Sequence, residues 1–279
     1  MRRNDVLAAL ERRDLHRARA ARQALADAFS DDPYLAPLAT LLDALANSQH
    51  APPEPDHAAL AQQRAALAGP VAAAARLAFG DAASTAWLQP IWRSLATRCE
   101  RLAFMPAHAE DHAAALWLHA QEWSLAAEAV ARIESWRRIP APLGWMTEAR
   151  YHLAGLDDTW PLLVELAWLA PVRLNALLAR LQDPLLARLQ NKFDAAFEGA
   201  GDATDLAWFP AWLLTFDPAF APHLGRAQPS NHEPAEQAMR LLLDLLALEH
   251  QGRHHDLVPR RKSLRDLNES LFAIYLSTR

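Results

Sequence analysis

Alanine and leucine fill 107 of the 279 positions, 60 and 47 respectively, whereas the β-branched residues Val, Ile and Thr fill only 18. Pleated surfaces favour β-branched side chains, and Ala and Leu head the helix scale, so this ratio excludes a large sheet and predicts an all-α fold. The glycines narrow the function classes as well. There are eight, and Gly199 and Gly201 are the only pair closer than eleven residues, so neither a G-x-G-x-x-G turn nor a P-loop can be written. Folds that cradle phosphates on glycine-rich loops are thereby excluded.

Proline sets the expected helix lengths. Pro90, Pro106, Pro140, Pro142, Pro161, Pro171, Pro184, Pro210, Pro218 and Pro222 punctuate the middle of the chain. Proline suits a first turn but breaks a helix interior, so short helices of about three turns are expected there. All ten tryptophans lie between Trp87 and Trp212, and most are expected in the core. Before this region, residues 2–29 read as two short helices meeting at Arg13-Asp14, and Asp31-Asp32-Pro33 opens a helix through Leu35, Leu38, Leu41, Leu42 and Leu45. Residues 47–56, NSQHAPPEPD, hold three prolines and no apolar periodicity. They predict an exposed loop or linker over 47–57, between N-terminal helices in 1–46 and one continuous stack of helical hairpins in 58–279. Residues 58–79 read as helix interrupted at Gly69-Pro70. Residues 233–251 read as the longest amphipathic helix, stopped by Gly252, with two shorter helices after it at 256–266 and 270–277.

Cys99 is the only cysteine, which rules out an internal disulfide. The twin arginines at Arg2-Arg3 lack an apolar run behind them, and the most apolar windows are broken by Glu165, Arg173, Arg180 and Asp244. A cytoplasmic protein without a membrane span is expected. The net charge of −5 is unevenly spread: residues 1–25 carry 7 Arg against 3 acids, residues 253–279 carry 6 Lys/Arg against 3, and the remainder is acidic. Of the 28 basic residues, only Lys192 and Lys262 are lysine. The clusters Arg12-Arg13-Arg17 and Arg260-Arg261-Lys262-Arg265 suit the acidic surface of a protein partner. No basic groove with readout residues is placed, so specific nucleic-acid binding is not expected.

Residues 113–133, AAALWLHAQEWSLAAEAVARI, place Trp117 on one helix, Gln121-Glu122-Trp123 at a turn, and Ala126, Val130 and Ile133 on a second helix. This phrase resembles a tetratricopeptide unit, with Gln121 where the family usually has glycine. Looser matches start at Arg13-Asp14-Leu15 and Gly252-Arg253-His254, without the 34-residue period of the family. About a quarter of the chain is covered. The resemblance implies an irregular α-solenoid of stacked helical hairpins whose concave side binds a protein or peptide; the alternative architecture is an irregular helical bundle.

Candidate chemistry gathers at histidines. On one continuous helix, His108, His112 and His119 fall at about 0°, 40° and 20°, a single stripe. Imidazoles four residues apart are suited to a divalent metal, and His108-Ala109-Glu110-Asp111-His112 is similar to the inverted zincin pattern with Asp111 in place of Glu. His254-His255-Asp256 is similar to the metal-binding pair of helical HD phosphohydrolases. No nucleophile motif is present, and Cys99 reads as a small buried hydrophobe. The expected function is that of a non-catalytic interaction scaffold with no cofactor, binding a partner in a groove lined by His108, His112, His119 and Glu122. The rival is a metal-dependent hydrolase using His108, His112 and His119 or His254, His255 and Asp256.

Overall fold

The computed structural model describes residues 2–50, 57–230 and 233–279. Helix accounts for 82% of it, and no strand occurs among the described residues. None of its helices is long and apolar enough to cross a membrane. The chain divides into two compact units, Met1–Ala129 and Val130–Arg279.

The first unit holds α1 (Arg2–Glu11), α2 (Leu15–Ala28), α3 (Leu35–His50), α4 (His57–Ala66), α5 (Ala72–Phe79), α6 (Asp81–Cys99) and α7 (Ala113–His119), and the unit boundary falls inside α8 (Trp123–Ala131). α3 packs on α2, α5 and α6 around the buried Leu38, Leu41 and Leu45. The helices on both sides of the Pro-rich stretch therefore belong to one unit. That stretch also begins later than the composition predicts. Asn47, Ser48 and Gln49 continue α3, with the Ser48 hydroxyl donating back to the Leu45 carbonyl at 2.7 Å; residues 51–56 lie outside the described residues.

The second unit continues with α9 (Pro140–Ala154), α10 (Leu156–Leu169), α11 (Pro171–Leu181), α12 (Pro184–Ala196), α13 (Phe209–Phe216), α14 (Ala221–Leu224), α15 (Pro234–His250), α16 (His254–Leu267) and α17 (Glu269–Ser277). Pro140, Pro171, Pro184, Pro210, Pro222 and Pro234 occupy first turns, where a missing N–H costs nothing. Pro90 and Pro161 do not break their helices; they lie inside α6 and α10, so α6, at 19 residues, outruns the 17 of α15. At Pro161 an arginine compensates: the Asp157 carbonyl, four residues before it and deprived of its helical donor, accepts from Arg226 Nη2 at 2.7 Å.

Three turns share one geometry. Arg13, Gln121 and Gly252 adopt left-handed conformations at φ 57°, 57° and 69°. In each, the next residue's N–H reaches back five positions: Asp14 to Ala9, Glu122 to Trp117 and Arg253 to Leu248, all at 3.0 Å. These are Schellman caps. They stand where the three sequence phrases place a turn, and two of them force an ordinary side chain into a conformation that glycine tolerates freely. Gly252→Ala, with no steric neighbour to meet, is expected to lose about 1 kcal/mol. Gln121→Gly is expected to gain about 0.5 kcal/mol, the released strain exceeding the added unfolded-chain entropy. Urea midpoints of the two variants check the pair; losses in both would contradict a shared left-handed turn.

Seven tryptophans, Trp87, Trp92, Trp117, Trp145, Trp160, Trp168 and Trp212, are buried, in keeping with a packing role. Asp183 caps α12, accepting the Leu185 and Leu186 amides at 2.8 and 2.9 Å and the Tyr151 hydroxyl at 2.7 Å. Burial works to raise its carboxyl, but these three hydrogen bonds outweigh it and hold the pKa below its ordinary value. A depressed carboxylate gives stability that is present above the unfolded value near 3.9 and lost as pH falls through the folded one. Urea midpoints from pH 5 to pH 2 should therefore fall less steeply in Asp183→Asn, which keeps a capping oxygen but does not titrate.

Candidate functional site

The histidine stripe requires helix from 108 to 119, and the structure does not provide it. Residues Pro106–Asp111 form a short 3₁₀ segment, His108 sits at φ −124° and ψ 34°, and His112 is the extended N-cap of α7. The physical reason lies in PAHAEDH, which has no large apolar residue to bury and a proline at its start. Each predicted site residue is engaged by a different partner. The His108 ring stacks on His57 at 5.0 Å and its Nδ1 lies 3.4 Å from Asp111. His112 is buried, its Nδ1 accepting the Ala114 amide at 3.2 Å while Phe104 meets the ring edge-on. His119 stacks on Trp92 at 4.5 Å, and Glu122 pairs with Arg93.

Among the described residues no three His, Cys, Asp or Glu side chains gather into a group that could hold a metal ion. Neither His108, His112 and His119 nor His254, His255 and Asp256 is therefore assembled as a ligand set. His254 and His255 are exposed in the first turn of α16, and the Asp256 carboxylate pairs with Arg253 at 2.6 Å. Asp111, the departure from the zincin pattern, is a buried anchor: its Oδ1 holds Arg64 Nε at 2.7 Å. Burial pushes the Cys99 thiol up to about 11, against the attraction of Arg98, which leaves it a core residue. The basic clusters make internal pairs as well: Arg17 with Asp14, Arg260 with Asp244, Arg261 with Glu249 and Tyr275.

The first unit builds a different site. Thr40, Asp43, Ala44, Asn47 and Ser48 of α3 recur at helical spacing and line one wall of a cavity of about 250 Å³. Ile91, Ser94, Leu95 and Arg98 of α6 line the second wall, and Gln63, Ala66, Leu67 and Pro70 the third. Pro70 explains the opening. It lacks an N–H and its ring crowds the Ala66 carbonyl, and the helix accommodates it by widening into a π turn over Leu67–Val71 where residues 58–79 read as an interruption. The floor, Leu67, Val71, Ile91 and Leu95, is buried and apolar, whereas Asp43 and Asn47 at the mouth are exposed. The Arg98 guanidinium is braced by Gln63 at 3.1 Å, and the Ser94 hydroxyl donates to the Ser48 carbonyl at 3.0 Å. No histidine is among the described residues lining this socket, and the hydroxyls of Thr40, Ser48 and Ser94 can hold a ligand beside the Asp43 carboxylate at the mouth.

No family model matches the chain, and comparisons with curated proteins and with solved structures find no match either. The geometry of the socket accordingly stands as its own guide to function. Two signals for it were present in the sequence: the polar stripe of α3, hidden by ending that helix before Asn47, and Gly69-Pro70 inside an otherwise helical run.

Proposed function

We propose that the chain is a non-catalytic interaction module that seats a bulky apolar side chain of a protein or peptide partner in the socket of its first unit. The carrying observation is the socket's build: about 250 Å³ over an apolar, buried floor, with amides and hydroxyls around the mouth. That is room for one large side chain. Interface energy concentrates where an aromatic or aliphatic anchor fills such a pocket and polar groups around it exclude water. Asn47 and Gln63 can pair with the main chain flanking the anchor, and Asp43 and Arg98 offer one charge of each sign. The binding role moves from the histidines to this socket, and the idea of a helical groove without chemistry of its own is retained.

The test uses N-acetyl-tryptophan amide and N-acetyl-leucine amide as stand-ins for an anchor residue. Titrated into labelled protein, they are expected to shift resonances of Leu67, Val71, Ile91 and Leu95. Ala66→Trp, which places an indole over the socket from an exposed position, should weaken binding about tenfold with an unchanged melting temperature. Thr40→Trp closes the opposite wall and serves where the first variant disturbs the π turn. Shifts scattered over the surface, or binding that survives both variants, would count against the proposal.

A further inference from the structure

We infer that a second, independent site in the unit Val130–Arg279 binds a small carboxylic acid with an apolar body. The site is a cleft of about 410 Å³ bounded by Trp136, Arg137, Arg150, Asp158 and Arg226, over a floor of Met146, Pro161 and Leu162. Its size falls within the roughly 300–1,000 Å³ of small-molecule sites.

The polar end is built from guanidiniums, two of which are fixed in place before any ligand arrives. Arg137 Nε lies 3.0 Å from the carboxylate of Glu165, which is only 6% exposed, and its guanidinium carbon stands 5.4 Å from the Trp136 ring centroid. The contact to Glu165 is ionic, since that buried N–H has no aligned acceptor. Arg226 is held by the Asp157 carbonyl that Pro161 leaves without a helical donor, at 2.7 Å. Such anchoring reduces the entropy lost when a ligand is gripped.

The charge balance selects the ligand. Glu165 neutralises Arg137, and Asp158, 3.7 Å from Arg226, offsets the second guanidinium. Arg150 is exposed and makes no ion pair among the described residues. One uncompensated positive charge in a chain of net −5 calls for a monoanion, and a planar carboxylate meets a guanidinium fork with two parallel hydrogen bonds. A phosphate dianion would need a second free charge. Met146 and Leu162 are 4% and 6% exposed, so the body that rests on them gains by being apolar.

Hexanoate, its neutral isostere hexanamide, and phenyl phosphate are the probes, titrated into the full chain by calorimetry with resonance assignment. Hexanoate is expected to bind about tenfold or more tightly than hexanamide, with shifts at Met146, Leu162 and Trp136. Arg150→Gln should reduce hexanoate binding to the hexanamide level while leaving the melting temperature unchanged, because that side chain braces nothing. Ala66→Trp should leave hexanoate binding untouched, which separates this site from the socket of the first unit. Equal binding of hexanoate and hexanamide, no binding of either, or an indifferent Arg150→Gln variant would overturn the inference; phenyl phosphate binding more tightly than hexanoate would overturn the choice of a carboxylate.

Discussion

Replacing Phe193 by alanine is expected to remove about 4 kcal/mol of stability from the unit Val130–Arg279. Phe193 is 1% exposed. Its ring stacks on Phe197 at 4.9 Å and meets Phe209 and Trp212 edge-on at 5.5 and 5.6 Å, and Trp212 in turn stacks on Phe216 at 5.1 Å. The truncation loses the transfer free energy of a phenyl ring and leaves a void lined by three aromatic side chains, Phe197 just after α12 and Phe209 and Trp212 on α13, which cannot all collapse inward. Aromatic pair geometry adds to the loss. Chemical denaturation monitored by far-ultraviolet dichroism measures it. A cost below about 1 kcal/mol, ordinary for a surface position, would mean that this aromatic cluster is not the core it is taken to be.

The second large effect is expected at Asp111. Its side chain is 5% exposed, accepts from Arg64 at 2.7 Å and faces His108 Nδ1 at 3.4 Å, tying α4 to the 3₁₀ segment before α7. Asp111→Ala strands a partly buried guanidinium, and a cost of about 2 kcal/mol is expected, discounted from the loss of a fully buried pair because Arg64 is 30% exposed. Asp111→Asn keeps the shape and one acceptor and should recover part of the loss. Were Asp111 a catalytic or metal-ligating group held at a cost to the fold, alanine would leave stability unchanged or raise it.

The helices were legible because their signals are local. The meeting of α1 and α2 at Arg13-Asp14, the stop of α15 before Gly252 and the final two short helices follow from apolar spacing and cap residues that act within a turn or two. The turn at Gln121 was legible too, although glutamine stands there, since the flanking phrase marks the turn more strongly than the residue does; its left-handed φ of 57° is what the structure adds. What failed was everything decided at a distance. The Asp157 carbonyl that Pro161 leaves without a donor inside its helix is taken up by Arg226, more than sixty positions away in sequence. The histidine stripe assumed one helix across a segment whose own residues do not favour it, and the spacing that aligned the three rings had no meaning once the backbone left helical geometry at His108. The socket escaped because its three walls come from α3, the α4–α5 run and α6; each stripe is visible alone, but their convergence is a tertiary fact.

The most direct measurement of the central claim is selection from a randomised peptide display library on the full chain, with Ala66→Trp as counter-target. Enriched peptides are expected to share one large apolar residue at a fixed position. Their binding should fall about tenfold on Ala66→Trp and survive Arg150→Gln, since the free energy comes from burying that side chain on Leu67, Val71, Ile91 and Leu95. Peptides enriched for charge alone, or bound equally well by Ala66→Trp, would contradict the assignment of the first unit's socket as the binding site.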